Sequence, residues 1–315
     1  MTDNPLKPSA ERDSDGSEGL KGLAYAGSAF LIWGLSPIYW KTLASVPPFE
    51  IVLHRVLWSF FFVIPLVALQ GKTGELVSVL KNPRSLLTLL ATTLFVATNW
   101  LLFIWSVNNG LVLQASLGYY INPLFSVLLG VVFLRERLRR AQLLAVLLAG
   151  AGVLHLTIGL GRFPWVALTL AFTFGLYGLV RKITPVSALV GLTVETLLLL
   201  PPTLGYLGYL YATGRGAFLH MGLSTDLLLM ASALATALPL LLFTLGARRL
   251  RLSTLGFMQY MVPSCFFLFA VFVFREPISW VQIWTFVMIW SALAIYSADS
   301  VVFHRKAHLI STRAA

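Results

Sequence analysis

Charge is scarce in this sequence. Only 11% of its 315 residues are Asp, Glu, Lys or Arg, against about 25% in soluble domains. So little charge does not keep a chain of this size in water. A hydrophobic content of 58% and a mean hydropathy of +0.83 suit a polytopic membrane protein instead. Cysteine is nearly absent. The single Cys265 excludes an intramolecular disulfide and any cysteine-based metal site. The five histidines, at 54, 155, 220, 304 and 308, are scattered, and neither HExxH nor GxSxG occurs. Hydrolysis inside lipid requires a nucleophile with its base, paired acids or metal ligands. Glu195 is the one carboxylate well inside an apolar segment, and it has no second beside it. No GxxxxGK[ST] loop is present, which argues against direct use of ATP. These absences predict no catalytic residues, no metal and no cofactor. An intramembrane enzyme is the weaker rival; a non-transporting receptor or scaffold is another.

Apolar runs are what the chain has in quantity. Ten segments approach the roughly 20 residues that cross a bilayer as a helix. They cover 22–41, 49–69, 85–107, 111–134, 140–158, 164–181, 187–210, 224–246, 253–274 and 279–301. Their continuous apolarity predicts helices rather than the alternating strands of a barrel. With the N-terminus in the cytoplasm, only Lys41, Arg162, Arg215 and Arg275 of the 23 Lys and Arg fall outside, and Arg55 falls within a span. The rest lie inside, as the positive-inside rule expects, which puts both termini in the cytoplasm. The net charge of +11 then meets anionic headgroups of membrane lipid, not nucleic acid. Residues 1–19 are polar and lack a signal peptide's pattern. They read as a disordered cytoplasmic tail, and 302–315 as a basic one.

The chain also repeats. Trp33-Gly34-Leu35 with Lys41 recurs as Phe174-Gly175-Leu176 with Lys182, and Pro123 with Glu136 recurs as Pro263 with Glu276. Ser116-Leu117-Gly118-Tyr119 is similar to Thr254-Leu255-Gly256-Phe257. Three matches in one order predict two five-helix repeats, 20–160 and 161–301. An odd number of spans inverts the second copy. Inverted repeats are a transporter architecture, with a substrate site between the halves near the midplane.

Five strings carry a family resemblance: HRVLWSFFF at 54–62, NWLLFIWSVNN at 99–109, ASLGYYINP at 115–123, GLVRK at 178–182 and LSTLGFMQY at 252–260. Across residues 20–300 the chain resembles the EamA family of the drug/metabolite transporter superfamily. The resemblance implies a ten-helix bacterial inner-membrane protein, with both termini cytoplasmic, that exports a metabolite or drug.

Charge within lipid is costly and normally faces a cavity or a partner. That singles out Arg55 in the second span and Glu195 in the seventh, which differ in depth by roughly 9 Å at 1.5 Å per residue. His54 aligns with Glu195 between the repeats. Two readings stand. In one, Arg55 binds an anionic group and Glu195 binds an amine or carries a proton. In the other, the two pair and lock one state; a gating pair formed in one state only would join the two. Asn99 and Trp100, Tyr119, Tyr120 and Asn122 before Pro123, and Gln259 and Tyr260 before Pro263 are further polar or aromatic positions within spans. Each proline frees a carbonyl one turn earlier. Its neighbours either satisfy that carbonyl at a kink or face an amphipathic substrate. The expected cavity is lined by Arg55, Asn99, Trp100, Tyr120, Asn122, Glu195 and Gln259. Glu136 and Glu276 read as interfacial caps. Ala141, Ala145 and Ala149, and likewise Ala294 and Ala298, form small-residue faces for close packing, within the chain or in a homodimer.

Overall fold

The computed structural model describes residues 9–108, 112–160, 163–268, 272–273 and 279–313. Residues 1–8, Arg162, Arg275 and Glu276 lie outside the described residues. The described chain is helical: α1 (Ser9–Thr42), α2 (Pro48–Leu69), α3 (Thr73–Lys81), α4 (Pro83–Asn108), α5 (Val112–Leu134), α6 (Arg140–Leu160), α7 (Trp165–Ile183), α8 (Ala188–Ala212), α9 (Leu223–Arg249), α10 (Leu252–Gln259), α11 (Met261–Leu268) and α12 (Trp280–Arg313).

Eight of these are long and apolar enough to cross a membrane: α2, α4 to α9, and α12. The first expected span lies in α1, where Gly, Ser, Tyr and Trp dilute the hydropathy. The ninth is divided. Pro263 has no N–H for the carbonyl of Gln259, four residues earlier. Next to that carbonyl the helix also tightens, Tyr260 N bonding three residues back to Phe257 O at 3.2 Å, and a new helix starts at Met261. Pro123, by contrast, sits inside an unbroken α5.

Both ends of the described chain are helical. The chain is helical from Ser9, and α12 continues to Arg313. In the first of these, Glu18 is engaged by Lys21 at 2.7 Å and by Arg249 at 2.8 Å. The connection after α2 forms α3, whose Val79 is buried with Leu89, Val186, Val190 and Val194. Leu76, Val79 and Leu80 fall at helical spacing there, a period too short to register against the longer runs.

Two compact units form. The first comprises Met1–Ile104 and Leu176–Arg251, the second Trp105–Gly175 and Leu252–Ala315. Each therefore draws on both halves of the sequence. In the first, α2 packs on α8 and α9, and α1 packs on α9. In the second, α6 packs on α12, and α5 on α10. Ala145 and Ala149 of α6 are fully buried with Ile289 and Ala292 of α12, so this small-residue face serves packing within the chain. Ala294 and Ala298 are exposed.

Gly256 sets the approach of α10 to α5. A Cβ there would lie 2.6 Å from the Pro123 carbonyl oxygen and 3.0 Å from Ser126 Cβ. The first of these is backbone and cannot swing aside. Gly256→Ala is expected to cost about 1–3 kcal/mol, as overpacking does, read as a lower midpoint in denaturant titration of the purified protein.

Candidate functional site

The first unit holds a buried ion pair. The short connection 184–187 turns the chain from α7 back along α8, so Arg181 near the end of α7 lies beside the first turns of α8. Ser187 caps α8 by accepting from Val190 N, and Glu75 of α3 accepts from Ser187 N at 2.7 Å and from its hydroxyl at 2.9 Å. Arg181 is wholly buried. Its Nη2 donates to Ala188 O at 3.1 Å, and its Nε stands 3.6 Å from Glu195 Oε1.

Gly191 makes this geometry possible. It precedes Glu195 by four residues and shares its helix face. A Cβ at Gly191 would fall 2.5 Å from Arg181 Cζ, within the guanidinium's own space. Glu195 also accepts from Thr92 Oγ1 of α4 at 2.6 Å and from the Tyr177 hydroxyl of α7 at 3.4 Å. The carboxylate is thus well served while the cation is not. Arg181 Nε and Nη1 have no hydrogen-bond partner among the described residues.

Arg55 occupies a different environment in the same unit. It is half-buried on α2, its guanidinium 4.8 Å from the Trp40 ring centroid and 4.7 Å from that of Trp100. Its Nε donates to Thr236 Oγ1 of α9 at 2.8 Å. Asn99, half-buried, precedes Trp100 on α4. The neighbouring His54 is buried. Its Nδ1 accepts from Trp58 Nε1 at 3.2 Å, and its Nε2 lies 3.8 Å from Glu50 Oε1. Glu50 in turn accepts from Ala217 N at 2.7 Å, and Asp226 from Leu219 N at 2.8 Å. These two carboxylates strap the connection between α8 and α9 onto the unit.

The second unit carries the remaining predicted positions. Asn122 is buried, and its Oδ1 has no partner among the described residues. Gln259 is buried at the end of α10. Tyr120 makes an edge contact with Phe286 at 5.5 Å. Tyr260, also buried, has no hydrogen-bond partner for its hydroxyl among the described residues. Glu136 is a cap, as its position suggests: it accepts from Leu252 N at 2.6 Å and from Ser253 N at 2.9 Å at the start of α10. The seven predicted residues divide between the units, with Arg55, Asn99, Trp100 and Glu195 in the first and Tyr120, Asn122 and Gln259 in the second.

Sequence reasoning missed Arg181. The Arg181-Lys182 pair at the end of a span looks like an ordinary cytoplasmic flank. Lys182 donates to the carbonyls of Ala247 and Leu250 at the end of α9. The available signal was Gly191 standing one turn from Glu195.

The model of the EamA-like transporter family matches residues 20–158. Protein RarD of Salmonella typhi is 47% identical over 295 residues, covering 93% of this chain and 99% of that protein. An uncharacterized transporter of Bacillus subtilis, YojE, is 44% identical over 92% of this chain and 97% of its own. The chloramphenicol-sensitive protein RarD of Pseudomonas aeruginosa is 32% identical over 91% of this chain and 96% of its own. A solved crystal structure, 19% identical, superposes with a TM-score of 0.67 over 90% of this chain and 98% of that one, a likeness of fold.

Proposed function

This chain belongs to the EamA-like transporter family and is a multi-pass membrane protein, and from that premise we propose that it is a secondary transporter exporting a small amphipathic molecule by alternating access. The proposal places ten spans in two inverted repeats in a bacterial inner membrane, both termini in the cytoplasm. Family membership and the asymmetric Lys/Arg distribution support it.

The observation that carries the reading is the Arg181–Glu195 pair. A buried pair is weak evidence for stability, since apolar residues of similar volume often do as well. Ionisable residues inside a membrane typically mark a substrate path or a proton relay. Glu195 is the proton-coupling group of the proposal, and Arg181 is the cation it releases or regains. Arg55, held between two indoles, is the anchor for an anionic substrate group.

The test compares small molecules in the medium of cells carrying wild type, empty vector, or the double variant Arg181→Met/Glu195→Gln at matched membrane levels. The double variant removes the pair without leaving a lone buried charge. A compound released only by wild type names the substrate class. In liposomes, its accumulation under a pH gradient is expected to vanish in the double variant while downhill exchange persists. Full accumulation in that variant removes the proton role. Wild type matching empty vector in both export and uptake overturns transport.

A further inference from the structure

A cavity of about 400 Å³ opens at the ends of α2, α8 and α9 in the first unit, away from Arg55. Its walls are of two kinds. Leu66, Leu189, Leu241 and Leu245 form an apolar floor, and Lys72, Arg248 and Arg249 stand at the rim. Arg249 is already committed, because its Nε donates to Glu18 Oε2 at 2.8 Å. Lys21 and Arg249 together hold the Glu18 carboxyl below its usual range. The other two cations are less engaged. Arg248 spends Nη1 on the Val186 carbonyl at 2.9 Å. The Lys72 ammonium, half-buried, has no hydrogen-bond or ion-pair partner among the described residues. Glu75 lies nearby, but it is bonded to Ser187 and is not part of the lining.

The floor continues beyond the cavity. Leu245, Leu241, Leu238 and Leu234 follow one another at helical spacing along α9. Leu238 is 40% exposed and Leu234 is 49% exposed. From Leu245 to Leu234 the helix rises roughly 16 Å at 1.5 Å per residue, about one leaflet of a core roughly 30 Å thick. A cationic rim with an apolar stripe one leaflet deep complements a ligand with an anionic head and a long apolar tail.

We propose that this cavity is a binding site for an anionic phospholipid, its phosphate held by Lys72 and Arg248 and one acyl chain lying along the α9 stripe. A free phosphate would use the same two cations but has no use for the leucines. The site is independent of the transport reading.

The test is native mass spectrometry of the purified full chain, titrated with phosphatidylglycerol, phosphatidylcholine or inorganic phosphate. Phosphatidylglycerol is expected to bind at least tenfold tighter than phosphatidylcholine and to resist displacement by inorganic phosphate. Each basic side chain near an anionic group contributes about fivefold, so Lys72→Gln is expected to weaken phosphatidylglycerol about fivefold and Lys72→Gln/Arg248→Gln about 30-fold. Lys72→Arg/Arg248→Lys is expected to bind as wild type. The Lys72 side chain makes no hydrogen bond or ion pair among the described residues, and Lys72→Gln keeps the backbone bonds of Lys72 to Val67 and Leu76, so this single variant and the wild-type comparison decide the matter even where the double variant does not fold. Equal binding of the two lipids overturns the proposal. So does displacement by phosphate, which assigns the cavity to a free anion, and so does unchanged binding to Lys72→Gln.

Discussion

Arg181→Met is expected to destabilise the protein by about 3–5 kcal/mol, and adding Glu195→Gln to the same chain to return most of that loss. Removing one member of a buried pair leaves the other charge desolvated and uncompensated, which is the expensive step; removing both is not. Arg181 is wholly buried and Glu195 is 2% exposed, so water screens neither. Glu195→Gln alone should cost at least as much, because a guanidinium cannot shed its charge and Arg181 already has two donors without partners. Gly191→Ala should resemble the loss of the pair, since the new Cβ takes the space of the guanidinium. Denaturant titration of wild type, the Arg181 and Glu195 single variants and their double variant in mixed micelles gives a double-mutant cycle. A coupling free energy above about 2 kcal/mol is expected. Additive losses would show that the two residues do not act as a unit.

A residue is legible in the sequence where its type conflicts with its position. Glu195 was legible because a lone carboxylate in an apolar run has no innocent explanation, and Arg55 for the same reason. Arg181 was not, because an Arg-Lys pair at the end of a span is what a cytoplasmic flank looks like. Its fate depends on a four-residue connection and on Gly191, both tertiary matters. Trp100 was legible as an aromatic beside Asn99. Trp40 and Thr236, which complete the setting of Arg55, come from α1 and α9 and share no sequence pattern with it. Pro263 announced a disturbance in the ninth span, but not that α10 and α11 would separate at Tyr260. The duplication, written along the chain, predicts two halves. Each compact unit takes helices from both of those halves.

Arg55→Ala is expected to lower transport at least tenfold while costing only about 1–3 kcal/mol of stability, and Arg55→Lys is expected to restore stability more than transport. Arg55 is half-buried, so its desolvation is partial, unlike that of Arg181. Two indole faces at 4.7–4.8 Å contribute about 0.5–2 kcal/mol as cation–π contacts. The bond to Thr236 contributes about 1.5–3 kcal/mol gross of the cost of ordering the side chain. A lysine ammonium keeps the charge and part of the attraction to the rings. It lacks the planar fork that can stack between two indoles, donate sideways to Thr236 and still present paired N–H groups to a carboxylate or phosphate. Removing a charge-assisted contact to substrate is worth about tenfold or more at 1.4 kcal/mol per decade. The measurement pairs export of the identified compound with the unfolding midpoint for each variant. A lysine variant that transports at the wild-type rate would leave Arg55 as a charge alone, with no role for its geometry. An alanine variant that loses stability and transport in proportion would make Arg55 a structural link between α1, α2, α4 and α9, and the anchor for an anionic substrate group would have to be sought elsewhere.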